Sequence, residues 1–119
     1  MIGVAHRFHG YGSLNGVYRR GQSVRGPMLS LKFASRGPNR PYRVAVVVSR
    51  KVRKSAVARN RIRRRIYEAI RQTNAAITPG TDLVFTVFEE RVAELPPTEL
   101  QAAISGLLQK AAERPAAGN

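Results

Sequence analysis

A chain of 119 residues with 21 Lys and Arg against seven Asp and Glu carries a formal net charge of +14, which leaves room for one modest core and excludes a multidomain enzyme. It has no cysteine, so a disulfide framework, a Cys-based zinc site and a thiol nucleophile are excluded, and a reducing compartment fits. Met1 to Tyr67 holds 17 basic residues and no acid, whereas Glu68 to Asn119 holds four basic and seven acidic residues, and a field so poorly compensated predicts a polyanionic partner, nucleic acid before membrane.

The stretch to Gly12, with His6, Phe8, His9 and Tyr11, reads as an arm. It lacks an apolar h-region, and no apolar run in the chain approaches the roughly 18 to 20 residues of a membrane span, so a soluble cytoplasmic protein is expected. Ser13 is placed to cap a short helix, Leu14 to Arg20, that Gly21 ends. Arg25 to Pro27 reads as a turn. Met28 to Ser35 alternates, with Leu29, Leu31 and Phe33 on one face and Ser30, Lys32 and Ala34 on the other, which predicts a half-buried strand. Arg36 to Pro41 is a Gly- and Pro-rich loop. The run VAVVV within Tyr42 to Ser49 predicts a central strand covered on both faces, forming a hairpin with the strand before it.

Ser55 to about Asn74 is expected to be helical, since Ala58, Ile62, Ile66, Ala69 and Ile70 fall on one stripe. At 100° per residue that sets Asn60, Arg64, Tyr67 and Arg71 opposite, with Arg61 and Glu68 beside them and Arg63 and Arg65 on the flanks. Pro79-Gly80 turns the chain, Asp82 to Phe88 predicts a third strand, and Leu95-Pro96-Pro97 introduces a last helix with an apolar stripe of Leu100, Ala103, Ile104, Leu107, Leu108 and Ala111. One domain over residues 1–112 and a frayed tail over 113–119 follow.

The chemistry concentrates in one segment. From Arg50 to Arg71 there are ten basic residues and one acid, Glu68. Glu68 alone offers a partner at i,i+4, to Arg64, so a salt-bridged surface helix is a poor match. Arg outnumbers Lys 17 to four, and guanidinium groups bond phosphate bidentately and stack on bases, which favours RNA over a membrane surface. Asn60 can bond a phosphate or base edge, or make a local hydrogen bond to its own helix. Tyr18 and Lys32 can share a groove as stacking ring and cation, or Tyr18 can serve the core. His6 and His9 have no carboxylate or thiol near them in sequence, and Asp82 and Glu89 stand too far apart along a strand to share a metal pair, about 23 Å at ~3.3 Å per residue. The acids read as structural or solvating, and any nuclease chemistry is expected from the partner. Alternatives from other classes are a structural RNA-binding protein of ribosomal type and a protein-only nuclease.

The run from Ser49 to Ala69, SRKVRKSAVARNRIRRRIYEA, resembles the signature of the bacterial ribonuclease P protein component, in which a strand ending in Ser and basic residues leads into the helix of the RNR motif. Val17-Tyr18-Arg19-Arg20-Gly21 with Ser23-Val24 is similar to that family's first helix and the turn into its first strand, and Asp82-Leu83-Val84 after Pro79-Gly80 to a later strand. The resemblance spans roughly Arg7 to Leu108. It implies an α+β, two-layer α/β sandwich in which a mostly four-stranded sheet packs with about three helices. It also implies a left-handed βαβ crossover, where the general rule favours a right-handed one. Its implied function is that of an accessory subunit, one per catalytic RNA, whose RNA partner removes the 5′ leader of precursor tRNA with Mg²⁺ held through the RNA, the protein itself supplying no catalytic residue and no metal ligand.

Carried over by position, the resemblance assigns Arg59, Asn60, Arg61, Arg63, Arg64 and Arg65 to the RNA-binding helix and Lys51, Arg53 and Lys54 to its basic approach. Tyr18, Lys32, Leu14, Ser30 and Tyr67 fall to the leader cleft. The chain departs from the family pattern at Leu14, where a Phe is usual, at Lys32, where an aromatic is frequent, and at Ser30, where an aliphatic is common. Arg53 replaces a common Gly and Tyr67 a common Arg. Weaker stacking on the leader and stronger charge contact are expected here.

Overall fold

The computed structural model describes residues 16–19, 21–37, 39–52, 54–73, 77 and 79–113. The arm to Gly12, the cap at Ser13, the candidate site residues Leu14 and Arg53, the expected helix end at Asn74 and the tail beyond residue 113 lie outside the described residues. Residues 16–19 are helical. Strands β1 (Gln22–Arg25), β2 (Leu29–Ser35), β3 (Arg43–Val48) and β4 (Thr81–Val87) form one sheet in the order β1-β2-β4-β3. The basic helix (Ala56–Gln72) joins β3 to β4, and a short 3-10 turn (Glu90–Glu94) precedes the C-terminal helix (Pro97–Ala112). Among the described residues the result is a mixed four-stranded sheet with three α-helical segments and one 3-10 turn, the α+β architecture expected.

Two pairings differ from expectation. β2 and β3 do not form a hairpin: β4 lies between them, antiparallel to β2 and parallel to β3. The hairpin is instead β1 with β2, closed where the Gly26 N–H donates to the Leu29 carbonyl at 2.9 Å. β3 is accordingly an edge strand rather than a central one, and burial alternates along it, with Val44, Val46 and Val48 buried and Arg43, Ala45 and Val47 half-buried. The reason lies in β4, whose consecutive Asp82, Leu83, Val84 and Phe85 are all buried; a strand apolar on both faces is stable only where both faces are covered. Parallel pairing of β3 with β4 then requires a crossover, which the basic helix supplies.

The helix-facing side of the sheet carries the core. Val24, Leu31, Phe85 and Val46 form one cross-strand row, and Leu29, Val87 and Val48 the next. Ile62, Ile66 and Ile70 of the basic helix and Leu100, Ile104 and Leu107 of the C-terminal helix close over them. The predicted stripe thus holds, although Ala58 is only half-buried. Ser55 caps the basic helix, accepting from the Ala58 N–H at 3.3 Å.

The outer side of the sheet has its own small apolar contact. Val17, Ala34 and Val84 are buried yet stand apart from the main core, which places the helical turn at 16–19 against that side. Gly21 allows the approach: a Cβ there would come within 2.5 Å of the Val17 carbonyl oxygen and 2.9 Å of that of Phe33. Its N–H donates to the Val17 carbonyl at 2.7 Å, and its φ is not positive, so this position requires glycine for the close approach rather than for a left-handed backbone. Gly80 is the left-handed case, with φ 80° and a virtual Cβ only 1.7 Å from the Gly37 carbonyl oxygen.

Candidate nucleic-acid interface

Two surfaces emerge from the residues singled out in the sequence. The first begins where β3 ends. Arg50, Lys51 and Lys54 are exposed on the loop into the basic helix, and the Arg59 guanidinium folds back to donate to the Lys54 carbonyl at 2.8 Å. That bond fixes the loop against the first turn of the helix, whose N-terminal turn contains no acid. The partial positive charge of the helix start therefore adds to the side-chain charges.

Along the helix the arginines divide. Arg61 and Arg64 are exposed and, among the described residues, have no hydrogen-bond or ion-pair partner. Asn60 accepts from Arg63 through Oδ1, so its local role is realised by the oxygen while its amide N–H groups remain to donate. Glu68 does not pair with Arg64 as the spacing suggested. It accepts from Arg71 at 2.5 Å and from the Gln72 amide at 3.4 Å. The Arg71 hydrogen bond holds the Glu68 carboxyl below the usual carboxylate range and raises the Arg71 guanidinium above its ordinary value. The single acid of the segment is thus drawn toward the C-terminal end of the helix, away from Arg61 and Arg64.

Arg65 is turned inward, and the structure does not bring it to this surface. It is half-buried and donates to the carbonyls of Val92, at 2.5 Å, and Leu95. The helical wheel carried the signal: Arg65 stands seven residues after Ala58 and four before Ala69, within about 20 to 40° of each at 100° per residue, on the border of the apolar stripe. Tyr67 also departs from the reading that set it on the outward face. It is half-buried and packs against the main core, about 60° from Ile70 on the wheel and long enough to reach back. The sheet therefore separates it from Tyr18, Lys32 and Ser30.

The second surface is the outer face of the sheet. Lys32 and Ser30 both point there, alternating with buried Leu31 and Leu29. The Lys32 ammonium lies 5.6 Å from the Tyr18 ring centroid, and Tyr18 is exposed rather than part of the core. Register places Ala45 beside Val84 in the Lys32 row, and Thr86 and Val47 in the Ser30 row, a floor of small and β-branched side chains. Sequence reasoning missed a second cation and ring on this face: the Arg25 guanidinium carbon is 4.4 Å from the centroid of the Phe88 ring. Alternation along the four-residue β1 was the available signal for Arg25.

At the far end of the same face, in the row of Ala34, the Asp82 carboxylate is fully buried. It accepts from Arg36 Nε at 2.7 Å and from Arg43 Nε and Nη2 at 2.9 and 2.7 Å. The same hydrogen bond raises the Arg43 guanidinium above its ordinary value. Asp82 is structural, the first of the two roles the sequence left open for it. No three His, Cys, Asp or Glu side chains converge as a metal cage among the described residues.

Comparison with known proteins bears on the family and the fold. A family model described as Ribonuclease P matches residues 5–112. The chain is 41% identical over 103 residues to the ribonuclease P protein component of Chloroflexus aurantiacus, covering 87% of this chain and 75% of that one. It is 40% identical over 97 residues to its counterpart in Roseiflexus castenholzii, covering 80% and 76%. Among solved structures, the fold matches the Staphylococcus aureus RNase P protein with a TM-score of 0.77 at 21% identity, covering 90% of this chain and 95% of that chain. It matches the Thermotoga maritima protein with a TM-score of 0.75 at 21% identity, covering 87% and 96%.

Proposed function

Because this chain belongs to the bacterial ribonuclease P protein family, and so is the protein subunit of an RNA-containing nuclease of tRNA processing, we propose that it binds two RNAs at the two surfaces described. The catalytic RNA takes the basic surface, with Lys51, Lys54, Arg61 and Arg64 on phosphates and the Asn60 amide as a neutral donor. The 5′ leader of precursor tRNA takes the outer face of the sheet, with Lys32 on a phosphate and the exposed Tyr18 ring against a base. The observation that carries the reading is the pair of exposed, unpartnered guanidinium groups at Arg61 and Arg64, whose nearest acid in sequence is committed to Arg71.

In this reading hydrolysis and its Mg²⁺ ions belong to the RNA. The protein screens and positions phosphates near the reaction centre, with one copy per RNA, in the cytoplasm. No helix among the described residues is long and apolar enough to cross a membrane.

Reconstitution with a bacterial ribonuclease P RNA tests the proposal. At low Mg²⁺ the protein should raise cleavage of precursor tRNA, and absence of stimulation would overturn it. Replacing Arg61 and Arg64 by Ala should flatten the salt dependence of RNA binding, each lost phosphate contact removing roughly 0.7 to 0.9 from the slope. An unchanged slope would clear both residues of phosphate contact.

A further inference from the structure

Beyond Tyr18 and Lys32, the outer face carries the Arg25–Phe88 pair, to which the reading above gives no task. Arg25 alternates with buried Val24 and is exposed, so its side chain leaves β1 on the outer side. It stands in register with Ser30. Phe88 follows β4 directly, half-buried, and its N–H donates to the Met28 carbonyl at 3.1 Å, which sets it level with Met28. The pair therefore lies two to four residues along β2 from Lys32, about 7 to 13 Å at ~3.3 Å per residue.

A guanidinium lying over a ring is held in plane by the π-face and keeps its N–H edge for a planar anion. No carboxylate takes that edge: among the described residues, the Phe88 ring is the one partner of Arg25. Between the two cation–ring pairs stands Ser30, whose half-exposed hydroxyl can donate to a phosphate or accept from a ribose 2′-OH. The bland alternative, an arginine stem covering an apolar ring, explains the contact but gives the guanidinium edge no role.

We propose that Arg25 and Phe88 form a second contact for single-stranded RNA on this face, engaging a different leader nucleotide from the one held at Tyr18 and Lys32. The inference rests on the leader reading above. Arg25 and Lys32 leave β1 and β2 in different rows of the face, and each lies by its own ring, so each pair is assigned its own nucleotide. Arg25 bonds a phosphate through its free edge, and the Phe88 ring fixes the plane in which it does so.

The experiment trims the leader of a precursor tRNA one nucleotide at a time and measures the dissociation constant of the reconstituted holoenzyme at each length. The wild type should lose affinity in two separate drops. With Arg25→Ala one drop should vanish and the other persist, the missing one being about tenfold, the scale of a hydrogen bond to a charged group. Phe88→Leu, which keeps apolar bulk without the ring plane, should shrink the same drop, with the thermal midpoint followed to confirm folding. A single drop in the wild type, both drops surviving either substitution, or both vanishing together in a folded variant would overturn the proposal. A wild type indifferent to leader length would instead overturn the leader reading itself.

Discussion

Asp82 is the only fully buried charged side chain among the described residues, and two arginines depend on it. Arg36 and Arg43 both donate to its carboxylate, and Arg36 also reaches the Pro41 carbonyl at 2.7 Å. The triad ties the loop after β2 and the edge strand β3 to the central strand. Asp82→Asn would leave two half-buried guanidiniums facing a neutral amide, and removing one side of a buried pair costs on the order of 3 to 5 kcal/mol. Because Arg36 and Arg43 keep some contact with water, a loss of about 3 kcal/mol in urea unfolding is expected, toward the low end of that range. An unfolding midpoint equal to wild type would show that the triad contributes nothing. The sequence left Asp82 as either structural or solvating, and its partners were not legible, since Arg36 and Arg43 lie 46 and 39 residues away.

At the scale of elements, the basic helix does two jobs on one sequence. Ile62, Ile66, Ala69 and Ile70 seat it on the sheet, and Arg65 ties it to the segment that launches the C-terminal helix. Arg65→Ala should lower the thermal midpoint and weaken RNA binding by loosening the helix, yet leave the salt slope of binding as it was, because no phosphate contact is lost. A slope reduced as for Arg61 or Arg64 would put Arg65 on the RNA. The basic and C-terminal helices and the β2 alternation were legible because they follow from spacing within a few residues. The position of β4 was not, because periodicity says which face a strand buries and not which neighbour it takes. The same limit hid half of the outer-face site: Lys32 and Tyr18 were open to a shared groove, whereas Arg25 and Phe88 are 63 residues apart and meet only through the register of β1, β2 and β4.

For the whole molecule, the +14 charge sets two salt dependences of opposite sign. Screening relieves self-repulsion of the folded chain, so the thermal midpoint of the free protein should rise as monovalent salt is raised from low values through about 0.1 M, where the Debye length is near 10 Å. RNA affinity should fall over the same range. A midpoint that falls with salt would show that local pairs such as Asp82 with its arginines outweigh the global field. The sheet order adds a consequence for the order of synthesis. The strand at the centre is the last made, so until Thr81–Val87 has left the ribosome, β2 and β3 have no common neighbour and the sheet cannot close. The carboxylate that neutralises Arg36 and Arg43 arrives on that same strand. A nascent chain of this protein therefore spends most of its translation as an unfolded polycation, and acquires its architecture and its first deep counter-charge in one step.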